Sequence, residues 1–175
     1  MASIFKLFGD SPATVPERAS SPAPTVKSVP GANAAGSIQH DPRLVGELMQ
    51  DHVNLVTHFT SLMPLLRQGD VRGFRSQLAA FKTEFQGHII KENVKFYVYL
   101  EQSLSGDETN IELMRDFRRE MNAISRAVVS FCNKYMDTEM HLAAMRQFEQ
   151  ESSEVAAALL ARIEREERDL YSLYH

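Results

Sequence analysis

DVRGFRSQLAAFKTEFQGHIIKENVKFYVYLEQS, residues 70–103, decides the fold class. Phe74, Leu78, Phe81, Phe85, His88, Glu92, Phe96 and Tyr99 recur every three or four residues, the spacing that gathers side chains on one face of an α-helix. Gly69 stops the preceding segment, Asp70 can cap the new helix, and no proline interrupts it. One long amphipathic helix needs partners of similar length to bury its stripe.

The flanking sequence supplies them. Upstream, Asp41 is a suitable N-cap and Pro42 is tolerated in a first helical turn. Leu44, Leu48, His52, Leu55 or Val56, Phe59, Leu62 and Leu66 then keep the helical period, with Pro64 expected to end or kink the helix. Downstream, Ser105-Gly106-Asp107 reads as a turn. A third helix is predicted over about 108–135, with Leu113 or Met114, Phe117, Met121, Ile124, Val128 and Phe131 inward. Asp137 or Thr138 can cap a fourth, running to about 173 through Leu142, Met145, Phe148, Val155, Leu159, Ile163, Glu166 and Leu170. No strand-like alternation or internal repeat occurs. The expected architecture is all-α, an up-and-down antiparallel four-helix bundle over residues 41–175.

Residues 1–40 are set apart by composition. Six of the seven prolines lie before residue 43, and the segment is rich in Pro, Ala, Ser and Val without periodicity. Such a chain cannot bury enough apolar surface to offset its ordering entropy, so a disordered tether is expected. Ile4, Phe5, Leu7 and Phe8 form a short apolar patch broken by Lys6, a frayed end or a docking peptide, and too short for a signal-peptide core.

Charge and cysteine usage narrow the function classes. The chain carries a formal net charge of −4, while the tail is mildly positive, so the helical body is acidic. Without clustered Lys and Arg, nucleic acid is not an expected partner. No apolar run approaches the roughly 20 residues that span a bilayer, so no membrane association is expected. The single Cys132 rules out a disulfide framework and suits a reducing, cytoplasmic setting, where it reads as a packing group. No activated nucleophile or open acid–base pair suggests an enzyme.

The informative residues are polar groups on the apolar stripes. His52 lies between Leu48 and Leu55; His88 and Glu92, four apart, share a face between Phe85 and Phe96; Glu166 lies between Ile163 and Leu170. Buried charge is costly unless paired or metal-bound, and imidazole with carboxylate suits iron, manganese or zinc. His58 shares a polar face with Asp51, Asn54 and Ser61 and is expected to be solvated. His141, about 30 Å along the fourth helix from Arg162, belongs to the far end. His40 and His175 lie at segment ends.

Leu48-Met49-Gln50-Asp51-His52-Val53-Asn54-Leu55 resembles the first-helix histidine motif of hemerythrin-like (HHE cation-binding) domains. Gly87-His88-Ile89-Ile90-Lys91-Glu92-Asn93, through Tyr97, resembles their second-helix HxxxE motif. Arg162-Ile163-Glu164-Arg165-Glu166-Glu167, with Leu170-Tyr171, resembles the fourth-helix motif. The resemblance covers about residues 41–173. It implies a centre of two irons bridged by two carboxylates, with His52 and His88 as ligands of one iron and Glu92 and Glu166 at the bridging positions. Two positions depart from the family pattern. Met121 stands where the third-helix histidine belongs, and Arg162 replaces the fourth-helix histidine. Arginine does not deprotonate to become a ligand, and thioether is a poor partner for iron. Glu120 is a candidate substitute ligand, although its neighbours suggest a flank position.

Three arrangements stay open: one iron in the intact half-site, two irons with substitute ligands, or none, with the Arg162 guanidinium pairing Glu92 and Glu166. The resemblance implies a metal-binding protein in oxygen, redox or nitric-oxide sensing, or in iron handling, with a small diatomic ligand and a protein partner. The alternative is a metal-independent regulatory bundle acting on a transcription or signalling partner. Phe96-Tyr97-Val98-Tyr99-Leu100-Glu101 carries a fainter similarity to bacterial regulators that sequester the primary sigma factor. His88-Ile89-Ile90-Lys91 is loosely similar to the core of histidine phosphotransfer domains, but Glu92 replaces the expected glycine and the histidine lies on the apolar face.

Overall fold

A computed structural model describes residues 38–175, which form one compact unit. The expected tether and its Ile4–Phe8 patch lie outside the described residues. The unit begins three residues before the expected boundary. The Ile38 N–H donates to Gln102 Oε1 at 3.1 Å, and the His40 ring lies 4.9 Å from that of Tyr174.

The described chain makes four antiparallel rods, as the periodicity requires. The first is α1 (Leu44–Thr60) followed by α2 (Leu62–Arg67). The second is α3 (Val71–Lys91), a π-helical turn at Glu92–Phe96, and α4 (Tyr97–Ser103). The third is α5 (Glu108–Asp137). The fourth is α6 (Leu142–Arg165), a second π-helical turn at Glu166–Leu170, and a 3-10 turn at Tyr171–Leu173. Helix α3 packs on both α1 and α5, and α5 packs on α6.

Local chemistry explains the boundaries. Pro64 has no N–H to offer Thr60, and the first rod breaks at Ser61, one turn upstream of the proline. Gly69 takes φ +75, while the N–H groups of Gly69 and Asp70 close the end of α2 on Leu66 and Leu65. The Asp70 carboxylate then accepts from Gly73 N–H, as the expected cap of α3. Asp41 does not cap by side chain in the ordinary way. Its carboxylate accepts from Arg43 N–H, and its carbonyl accepts from Leu44. The expected cap of the fourth rod is corrected: Thr138 closes α5, and the His141 imidazole accepts from Ala144 N–H to open α6.

Side-chain phase follows the stripes with three corrections. Leu142 is 66% exposed because α6 begins there, beyond the covered part of the bundle. In the second rod Tyr97 and Leu100 are buried and Tyr99 only partly so, because the π turn inserts a wide step that rotates the following helix. In the fourth rod Arg162 is buried while Ile163 is half-buried. Of the open pairs, Leu55 and Met114 face inward more completely than Val56 and Leu113.

The core is two apolar clusters. One contains Leu55, Phe59, Phe81, Phe85 and Phe131, the other Leu48, Phe96, Phe117 and Leu170. The buried His52, His88, Glu92, Arg162 and Glu166 lie where the two meet. Among the described residues no helix is long and apolar enough to cross a membrane.

Candidate metal centre

Each side chain of the site is aimed by a helix whose apolar neighbours anchor it. His52 sits in mid-α1 between buried Leu48 and Leu55, and His88 one turn before the end of α3. Glu92 opens the first π turn and Glu166 opens the second. Single π turns are costly in backbone geometry and concentrate at functional sites. Asn93 supports the first by donating its amide to the Ile89 carbonyl at 2.9 Å.

These four residues, expected from sequence, come together at 3%, 3%, 0% and 1% exposure. One ligand atom each from His52, His88 and Glu166 lies within 4.8 Å of the others. His52 Nε2 is 3.5 Å from Glu166 Oε2, and His88 Nε2 is 3.9 Å from Glu92 Oε1. Both imidazoles turn Nε2 inward because a carboxylate faces Nδ1. Glu167 is 2.8 Å from His52 Nδ1, and Asp51 makes a longer 3.5 Å contact with His88 Nδ1 while also holding Lys91 Nζ at 2.6 Å. Carboxylates behind ligating histidines fix the ring and tautomer.

The departures from the motif have definite places. Arg162, 2% exposed, donates from Nε to Glu166 Oε1 at 2.7 Å and from its terminal nitrogens to Tyr97 Oη at 3.1 Å and Glu120 Oε2 at 3.2 Å. Its guanidinium lies 4.5 Å over the Phe117 ring. It therefore pairs Glu166 but not Glu92, whose Oε1 instead accepts from the Tyr171 hydroxyl at 3.0 Å. Glu120 does not join the ligand cluster. Its side chain is 41% exposed and is held at the rim by Arg162 and Arg165. Met121 is buried and offers only a thioether.

Electrostatics divide the four groups. Burial, joined by the nearby Glu166 charge, pushes the Glu92 carboxyl up to about 8. Burial and the neighbouring His52 hold His88 down to about 4, so its imidazole is neutral near pH 7. Burial opposes charge on His52 as well, but hydrogen bonds to Glu166 and Glu167 outweigh it and raise its pKa. Burial likewise opposes ionisation of Glu166, but His52 and Arg162 outweigh it and lower its pKa. Glu92 Oε2 has no hydrogen-bond partner, the one such buried side-chain atom among the described residues. A buried orphan of this kind costs about 1–3 kcal/mol. Two inward imidazole nitrogens and the Glu166 carboxylate, with the Glu92 carboxylate and its free oxygen beside them, fit a first-row metal cation. His52, His88, Glu92 and Glu166 would hold it.

The remaining candidates are structural. His58 is less solvated than expected: its side chain is 27% exposed, beside Gln77 and 3.2 Å from Glu84. His58→Ala should cost about 0.5–1 kcal/mol in chemical denaturation and leave metal content unchanged. A loss of bound metal would mean that this histidine reaches the centre. Burial pushes the Cys132 thiol up to about 12, consistent with packing alone. The contributions of Tyr171, Tyr97, Asp51 and Glu167 were missed in the stripes. Asp51 orients His88 in place of its sequence neighbour His52, and Glu167 orients His52 from the fourth rod, crossings only the bundle makes.

No curated protein and no solved structure matches the chain. A family model, the hemerythrin HHE cation binding domain, matches residues 43–174. That span contains every residue of the site and nearly all of the bundle, and the chain belongs to the hemerythrin HHE cation-binding domain family.

Proposed function

We propose that the chain is a cytoplasmic iron-binding protein that senses oxygen, nitric oxide or redox state, or handles iron, through a buried centre read by a protein partner. The observation that carries the metal-binding part is the convergence of His52, His88 and Glu166 ligand atoms within 4.8 Å. Glu92 brings a carboxylate oxygen that no protein group satisfies. A bound iron would supply Lewis acidity and one-electron redox chemistry there. The protein's own part is to present a neutral His88 imidazole, orient His52 through Glu167, keep water out and hold the ligands rigid.

A cavity of about 50 Å³ beside His52 and His88 supports a small uncharged ligand. It is walled by Leu55, Phe59, Phe85 and Met121. Its apolar lining would not compensate a charged molecule. The reading is a binding and sensing protein rather than an enzyme. Nucleic acid and membrane are not proposed as partners.

The rival is a metal-independent regulatory bundle. Arg162 favours it by balancing Glu166 without a cation, but it leaves Glu92 Oε2 unexplained. Metal analysis of protein from iron-replete cells separates the two. Iron should copurify, and His52→Ala, His88→Ala and Glu166→Ala should each abolish it while the helical spectrum is retained. Wild-type protein without metal, unchanged in Tm by added iron or zinc, would exclude the metal reading.

A further inference from the structure

The Tyr171 hydroxyl is where a ligand would be. It lies 3.0 Å from Glu92 Oε1 and 3.3 Å from His52 Nε2. Donors bonded at ~2.0–2.2 Å to one cation stand roughly 3 Å apart when adjacent in an octahedral shell. The contacts of 3.0, 3.3, 3.5 and 3.9 Å among Tyr171, Glu92, His52, Glu166 and His88 are of that order. The phenol ring is 5% exposed and stacked against His52 at an interplanar angle of 8°, so its oxygen is fixed in the cluster.

The two oxygens of Glu166 have different neighbours. Oε2 faces His52 on the imidazole side, whereas Oε1 takes Arg162 at 2.6 Å. A carboxylate bridging two cations gives one oxygen to each, and here the second oxygen already holds a cation. Tyr97, Glu120 and Phe117 fix the guanidinium on its other sides. Moving it out would leave the buried Glu166 carboxylate with His52 alone, and Met121 offers no ligand in exchange.

We propose that the centre is mononuclear, with Tyr171 as a phenolate ligand beside His52, His88, Glu92 and Glu166, and with Arg162 permanently filling the position of a second cation. The proposal rests on the metal-binding reading above. On binding, the Tyr171 O–H bond is exchanged for an oxygen–metal bond, the proton passes to bulk water, and no electron moves. A hard phenolate would favour the ferric state and retain iron through cycles of oxidation.

The test loads the full chain with ferrous iron without oxygen, then oxidises it with ferricyanide. One iron per chain is expected, with a visible phenolate-to-ferric charge-transfer band whose resonance Raman spectrum shows tyrosinate ring modes. Tyr171→Phe keeps the ring against Phe96 and His52. It should retain about one iron and lose the band, and Tyr135→Phe, at a tyrosine packed on Phe131 and Phe148 away from the centre, should keep both. Two irons per chain, a wild-type spectrum without tyrosinate modes, or a band that survives Tyr171→Phe overturns the proposal while leaving metal binding intact. A chain that takes up no iron overturns the proposal and the functional reading together.

Discussion

Arg162→Ala is expected to destabilise the metal-free protein by about 3–5 kcal/mol, the cost of stranding a buried carboxylate by removing its partner. Glu166 is 1% exposed and receives two nitrogens of Arg162, at 2.7 and 2.6 Å. The substitution leaves Glu166 with His52 alone, frees the Tyr97 hydroxyl, and removes the guanidinium from the Phe117 face. Arg162→Lys retains the charge but not the fork of donors, and an intermediate loss is expected. Added iron or zinc should recover part of the stability of Arg162→Ala, because the cation takes over the charge on Glu166 and binds only the folded state. Urea unfolding with and without metal measures both effects. A loss below about 1 kcal/mol would show that the ion pair does not hold this end of the bundle.

The second large effect is on pH. Glu92 keeps its proton in the folded protein until about pH 8, against an ordinary value of 4.5. Its contribution to stability is therefore fully present below pH 4.5 and is lost as pH rises toward 8. His88 runs the other way. Held down to about 4 from 6.5, it contributes fully above pH 6.5 and loses that contribution as pH falls toward 4. The two slopes oppose each other between 4.5 and 6.5, leaving Glu92 uncompensated by His88 above that range. His52, with its raised pKa, adds in the same direction as Glu92.

Metal-free protein should thus lose roughly 2 kcal/mol from Glu92 between pH 6.5 and 8, at about 1.4 kcal/mol per pH unit. Glu92→Gln keeps an acceptor for Tyr171 and should remove that share of the decline. Metal binding should show the reverse trend, tightening about a hundredfold per pH unit over the same window, because the cation expels the Glu92 proton and the Tyr171 phenol proton together. Denaturation midpoints and metal titrations across the range check the two halves. An identical stability slope in Glu92→Gln would show that the carboxyl is already ionised in the folded protein.

Much of the architecture is legible in the amino-acid sequence alone. The 3.6-residue recurrence from Phe74 to Phe96 admits only a helix, and three more stripes of similar length admit only helices packed side by side. His52, His88, Glu92 and Glu166 stand out because a polar residue on an apolar stripe must be compensated by something across the core. Periodicity also places Met121 at an inward position, whereas Arg162 is singled out only by the resemblance, the stripe having put Ile163 inward. Those inferences depend on local physics: backbone hydrogen bonding sets the period, and water sorts the faces.

The partners of those residues were decided only by tertiary structure. No spacing announces that helices at Glu92 and Glu166 widen into π turns, because a π turn is unfavourable on its own and is held by packing around it. Those turns rotate Tyr97 into the core in place of Tyr99. In the same core, Arg162 takes Glu166, Tyr97 and Glu120 in place of Glu92, whose Oε1 is held by Tyr171. Sequence determined most of the residues that are buried, away from the helix starts and the π turns. Which of them touch depends on side chains from four rods meeting within a few ångströms, a distance that one inserted residue in a turn is enough to change.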